Sequence, residues 1–175
     1  MTIRIAGLWL VLGFVALATA CQEEGDVATV SEELAAMDAD FIVVGGEQYV
    51  SQDGEIEAHL VYDTAFQWND STSAALRRLE LVVFHEDGSE RARVTSDRGR
   101  LDQATDRMLA QGNVVVVIPG ENRTIRTEEL HYDPQAGQIW SDSAFVMTMP
   151  GSRLEGLSFT SDIDFQNFEA RGRRQ

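Results

Sequence analysis

Apolar and polar residues alternate with a period of two along several stretches of the chain. Leu79, Leu81 and Val83 stand against Arg78 and Glu80; Phe145, Met147 and Met149 stand against Val146 and Thr148; Leu157 and Phe159 stand against Ser158 and Thr160. This period sends successive side chains to opposite faces of a strand, so each stretch predicts a half-buried β-strand. The run from Val114 to Ile118 is apolar throughout and predicts a strand covered on both sides. Helical periodicity is convincing only near the amino terminus.

The strands recur as a unit. Residues 94–120 lie without gaps on residues 125–151, an offset of 31. Identities are few, but chemistry is kept. Asp97 falls on Glu128, Leu101-Asp102 on Tyr132-Asp133, Met108-Leu109 on Ile139-Trp140, and Pro119-Gly120 on Pro150-Gly151. Each unit reads as strand, turn, strand, turn. Asp102 and Asp133 open polar turns that contain Asp106 and Gly137, and the Pro-Gly pairs suit the centre of a type II turn. Asp97 and Glu128, recurring at equivalent positions, are expected at strand ends. Upstream, Leu60 to Asp63 precede Leu79 to Phe84 and the turn at Asp87-Gly88; downstream, a shortened copy runs from Leu157 through Asp162 to Phe168 and Gly172. About four hairpin-like units in succession predict an all-β fold, an elongated twisted antiparallel sheet or half-pipe whose units bury their apolar faces only against one another.

The ends change the picture. Arg4, the apolar stretch Ile5 to Leu17 and the small residues Ala18-Thr19-Ala20 precede Cys21, the layout of an export signal. Small residues before the chain's one cysteine resemble a bacterial lipobox, which implies acylation of Cys21 and a stable hold on a bilayer when two or more chains are attached. An uncleaved membrane-anchoring helix is the second reading. The expected organisation is a lipoprotein signal at 1–20, an acidic tether at 21–38 with a short helix from Ser31, a β domain at 39–172 and a tail at 173–175. A single cysteine cannot form an intrachain disulfide, so the domain must hold by its core. The net charge of -15, with every basic residue an arginine, argues against nucleic acid as a partner.

Chemistry is sparse. His59, His85 and His131 occur once per unit, without the cysteine or paired-histidine spacing of a zinc site, and read as polar strand positions. No nucleophile elbow, phosphate-cradling loop or Cys/His constellation is present, so the expectation is a chain that is not an enzyme and needs no metal or cofactor.

The order and spacing of several short stretches resemble the LptC family of lipopolysaccharide export proteins and, more distantly, the OstA-like group that includes LptA. The stretches are Ala58-His59-Leu60-Val61-Tyr62-Asp63, Val83-Phe84-His85-Glu86-Asp87-Gly88, Val94-Thr95-Ser96-Asp97-Arg98-Gly99 and Ala110-Gln111-Gly112-Asn113-Val114. Arg126 to Tyr132, Ile139-Trp140-Ser141-Asp142 and Gly156 continue the match. The resemblance implies a twisted β jelly roll, open at its ends, whose apolar interior holds acyl chains of lipopolysaccharide. It also implies a periplasmic place at the inner membrane, between the ABC transporter (LptB, LptF, LptG) and an LptA-like β jelly roll.

Alternation and resemblance together nominate an interior lining. From the first half of the domain it takes Leu60, Tyr62, Leu81, Val83, Leu101, Val114 and Val116. From the second it takes Leu130, Tyr132, Ile139, Phe145, Met147, Leu157 and Phe159. An open roll leaves edge strands, and a partner can add its own strand there by main-chain hydrogen bonding. The expected docking edge is Phe159, Ser161, Ile163, Phe165 and Phe168. Two other classes stand beside the transport reading. A structural or assembly envelope lipoprotein would contact proteins only and have a filled interior; a carbohydrate-active β solenoid would need clustered aromatics, whereas Trp68 and Trp140 are scattered.

Overall fold

A computed structural model of the chain describes residues 38–172, apart from Asp53 and the side chain of Gln52. The signal segment, Cys21, the helix expected from Ser31 and the tail at 173–175 lie outside the described residues. Eleven antiparallel strands form one sheet: β1 Phe41–Gln52, β2 Glu55–Gln67, β3 Ser73–Phe84, β4 Glu90–Asp102, β5 Arg107–Ile118, β6 Arg123–Asp133, β7 Gln138–Ser141, β8 Phe145–Met149, β9 Ser152–Gly156, β10 Ser158–Asp162 and β11 Glu169–Arg171. The path runs in chain order from β1 to β7, then to β10 and β11. At β6 the sheet forks. One half of β6 pairs with β7 and the other with β8, which carries β9. The all-β expectation holds, as an open antiparallel sheet of the jelly-roll half-pipe kind.

The strands β1 to β6 are longer than the repeat suggested, because they cross a bend without ending. Gly45, Arg78, Gly112 and Asn113 have φ of +65, +46, +77 and +49, and the β4–β5 and β5–β6 registers shift at this level. A left-handed residue inside a strand rotates the segment beyond it, so the inward set moves by one position. On β3, Ala74 and Leu76 are buried before the bend and Leu79 after it. Asp97 and Glu128 are therefore not at strand ends; they lie inside β4 and β6, where Asp97 accepts a hydrogen bond from the Asn113 amide at 2.7 Å. Asp63 pairs with Arg78 at the same level.

The turn reading from the repeat is met at two equivalent places. Asp102 accepts hydrogen bonds from the Ala104 and Thr105 amides, and Asp133 from those of Gln135 and Ala136. Asp106 and Gly137, 31 residues apart, take the left-handed position at φ +56 and +61. The Pro-Gly pairs differ. Gly151 has φ +73, as a type II turn requires, whereas Pro119–Glu121 form a 3-10 turn and Asn122 takes the left-handed conformation. His85 leaves the strand and sits in the β3–β4 turn, where its carbonyl accepts from Gly88; His59 and His131 are on β2 and β6.

Candidate functional site

Directly opposed residues of antiparallel strands share a face, so the registers trace the inner surface. Above the bend, Leu60, Leu81, Val94, Val116, Ile125, Met147 and Leu154 stand opposite one another across seven strands. Below it, Ala74, Leu101, Met108, Tyr132 and Ile139 form a second row. Val114, Val116 and Ile125 are fully shielded from solvent. Thirteen of the expected lining residues fall on this surface. Leu157 is 53% exposed in the connection between β9 and β10, just before the strand begins at Ser158. Burial pushes the half-buried Tyr132 phenol above its ordinary range, as an apolar surround does to a group that must ionise.

The carboxy-terminal part of this surface is covered. Phe159 packs edge-on against Phe145 and is stacked on Phe168, with centroids 5.1 and 4.8 Å apart. Gly156 has no room for a Cβ, which would run into the Phe145 ring. Thr127 and Ser141 hydrogen-bond at 2.9 Å where the fork begins, tying the two branches together.

Among the described residues, nothing covers the amino-terminal part. Val50 stands opposite Ala58, which stands opposite Val83, and Val43 opposite Ala65, which stands opposite buried Leu76. Phe41 is opposite Gln67, which is opposite buried Ala74. All three therefore lie on the inner surface, yet they are 47 to 57% exposed. The apolar surface continues past the point where side chains cover it. These residues were missed from the sequence; the signal was the run Phe41-Ile42-Val43-Val44 ahead of the bend glycine Gly45.

The expected docking residues lie on β10 and in the connection that follows it. β10 is flanked by β7 on one side and β11 on the other. Phe159, Ser161 and Phe165 are buried, and Ile163 and Phe168 pack against the core. The residues after Asp162 turn inward because their apolar side chains find the open interior. The outer strands of the sheet are β1 at one end and β11 and β9 at the other.

The polar groups lie elsewhere. Tyr49 stacks on His59 at 4.2 Å, and His59 contacts Glu47 at 3.1 Å. His131 stacks on Trp140 at 4.8 Å, and its ligand atoms lie within 4.8 Å of those of Glu129 and Asp142, a partly exposed group at the fork. Three turn carboxylates are held below their usual range. For Asp87 the cause is the Ser89 side chain, and for Asp133 the Ala136 amide. For Asp162, burial works the other way and is outweighed by hydrogen bonds from Gln166 and Asn167.

An open antiparallel sheet with an apolar inner surface, part packed and part bare, can hold long apolar chains without enclosing them. A family model described as lipopolysaccharide-assembly, LptC-related, matches residues 8–169. The chain belongs to this family. Its role is therefore in lipopolysaccharide transport, within a family of periplasmic, inner-membrane-associated transport components that is not a known enzyme family. Comparison with curated proteins gives no match.

Proposed function

We propose that the chain binds the acyl chains of lipopolysaccharide along the inner surface of the sheet, entering over β1 and β2, and relays the lipid towards an LptA-like β jelly roll. The observation that carries this reading is the bare continuation of the core surface at Phe41, Val43 and Val50. Burying an acyl chain there removes apolar area from both partners, worth about 25 cal/mol per Å². The inner-membrane transporter and the LptA-like partner would dock at opposite ends of the sheet by strand addition, the latter at β11 rather than at β10. Acylation of Cys21 would hold the domain at the membrane.

The test is photo-cross-linking in cells from a photoreactive residue at Val43 or Val50, with Val61 on the opposite face as control. Lipopolysaccharide adducts at the first two and none at Val61 are expected. No adduct at any of the three would sink the lipid reading. A second reading, an envelope lipoprotein that contacts proteins only, is favoured by the packed carboxy-terminal core. It predicts protein adducts alone from the same positions.

A further inference from the structure

The covered part of the interior is roofed by the chain's own connection between β10 and β11. After Asp162 the backbone leaves the sheet and reaches the start of β4 and β6. There Arg91 holds Asp164 at 2.7 Å, and Arg123 donates from Nη1 to the carbonyl oxygen of Phe165 at 2.8 Å. Ile163, Phe165 and Phe168 point down into the core that Val116, Ile118 and Ile125 line.

Three features set this strap apart from the strands beneath it. Phe165 sits at φ +56 while 4% exposed, a left-handed conformation that costs a bulky residue and persists only while its surroundings enforce it. The Nε atoms of Arg91 and Arg123 are buried without a hydrogen-bond partner, and they are two of only three such side-chain atoms among the described residues. Both arginines that hold the strap are thus incompletely satisfied in the closed arrangement. The strap is also folded locally: the Asp162 carboxylate accepts from the Gln166 and Asn167 amides and from the Asn167 side chain. It can move as one piece, because its own turn does not depend on the distant arginines.

Withdrawing Phe165 would leave a dry apolar space continuous with the row of residues that reaches the bare end, and a hydrocarbon tail is chemically equivalent filling. We propose that residues 163–168 are a latch: held by Arg91 and Arg123 they close the carboxy-terminal half of the interior, and on release an acyl chain takes the place of the Phe165 ring. This rests on the proposal that the sheet binds lipid.

The experiment uses the full chain in cell envelopes, with a photoreactive residue at Leu154 in the closed half or, separately, at Val43 in the bare half. Asp164→Asn removes the charge pair; the exchange Arg91→Asp with Asp164→Arg restores it reversed. Asp164→Asn should raise the lipopolysaccharide adduct at Leu154 about threefold, the scale of one exposed ion pair on an opening equilibrium, with Val43 unchanged. The exchanged pair should bring Leu154 back to its original level. An unchanged Leu154 adduct in Asp164→Asn, or a raised one that the exchange fails to reverse, overturns the latch while Val43 still reports lipid. Loss of the Val43 adduct in the unaltered chain removes the lipid reading itself.

Discussion

The two ends of the sheet use the same apolar surface in opposite ways. At the carboxy-terminal end Phe145, Phe159 and Phe168 close upon one another, and the connection after β10 fills what remains. At the amino-terminal end Phe41, Val43 and Val50 stand on that surface with about half of their area in water. A domain of this size gains stability from one good core, and here that core is concentrated in one half. The other half is free to leave its apolar residues unsatisfied, which is the property a carrier of hydrocarbon needs. Stability and binding are thus separated along one sheet, and substitutions at its two ends should separate them too.

The largest expected effect is at the closed end. Phe159 is 1% exposed and contacts two other rings, so Phe159→Ala should cost about 3 to 5 kcal/mol in equilibrium denaturation. Phe41→Ala at the bare end, removing the same ring from a position 57% exposed, should cost about 0.5 kcal/mol or less. Equal losses would show that the two halves are packed alike.

Next in size are the repeated turns, which belong to neither end and calibrate the comparison. Gly137 and Asp106 hold the same left-handed position in successive units. Gly137→Ala should destabilise by about 1 kcal/mol, the cost of a side chain at positive φ, whereas Asp106→Gly should leave the denaturation midpoint nearly unchanged. A neutral Gly137→Ala would mean that the turn rearranges.

Much of this was legible from residues alone, and the reasons differ by feature. The turn at Asp133 could be read because its signal is local: a carboxylate, two amides and a glycine within five positions. The inward set could be read because alternation is strict over short runs. The bend could not, since Arg78 is an ordinary residue at positive φ, and Gly45, Gly112 and Asn113, which favour that conformation, stand inside strands where a turn residue does not end the run. The connection after β10 was illegible for a related reason. Phe165 and Phe168 alternate poorly with their neighbours because they belong to a strap, and only the distant arginines Arg91 and Arg123 reveal where it goes. The bare end was missed because exposure is not a property of sequence: Val43 reads as a core residue and is on the core surface, yet it is 48% exposed.

Acid should act mainly through the turns. The carboxylates of Asp133 and Asp162 are held below their usual range in the folded chain. Their contribution is therefore complete above the ordinary carboxylate pKa of about 3.9 and is lost as pH falls through the lowered folded values. Urea midpoints measured from pH 7 to pH 2 should fall in that acid window. Asp133→Asn should make the fall shallower, and an unaltered slope would remove this carboxylate from the account.

The smallest expected effect on stability is also the one that most sharply divides the two ends. Val43→Asp combined with Val50→Asp places two carboxylates on the inner surface where it is already wet, 48 and 47% exposed. An exposed position away from a packed core moves stability by about 0.5 kcal/mol or less per residue, so the pair should melt close to the unaltered chain. Hydrocarbon, however, would have to desolvate both charges to lie against them, a cost well above what a few methylenes return at about 0.8 kcal/mol each. Lipopolysaccharide retained in mild detergent, measured per folded protein, should therefore drop sharply while circular dichroism and the melting temperature hold. A pair that melts far below the unaltered chain would instead mean that this surface is covered in the folded protein, and that its apolar residues are core and not an entry for lipid.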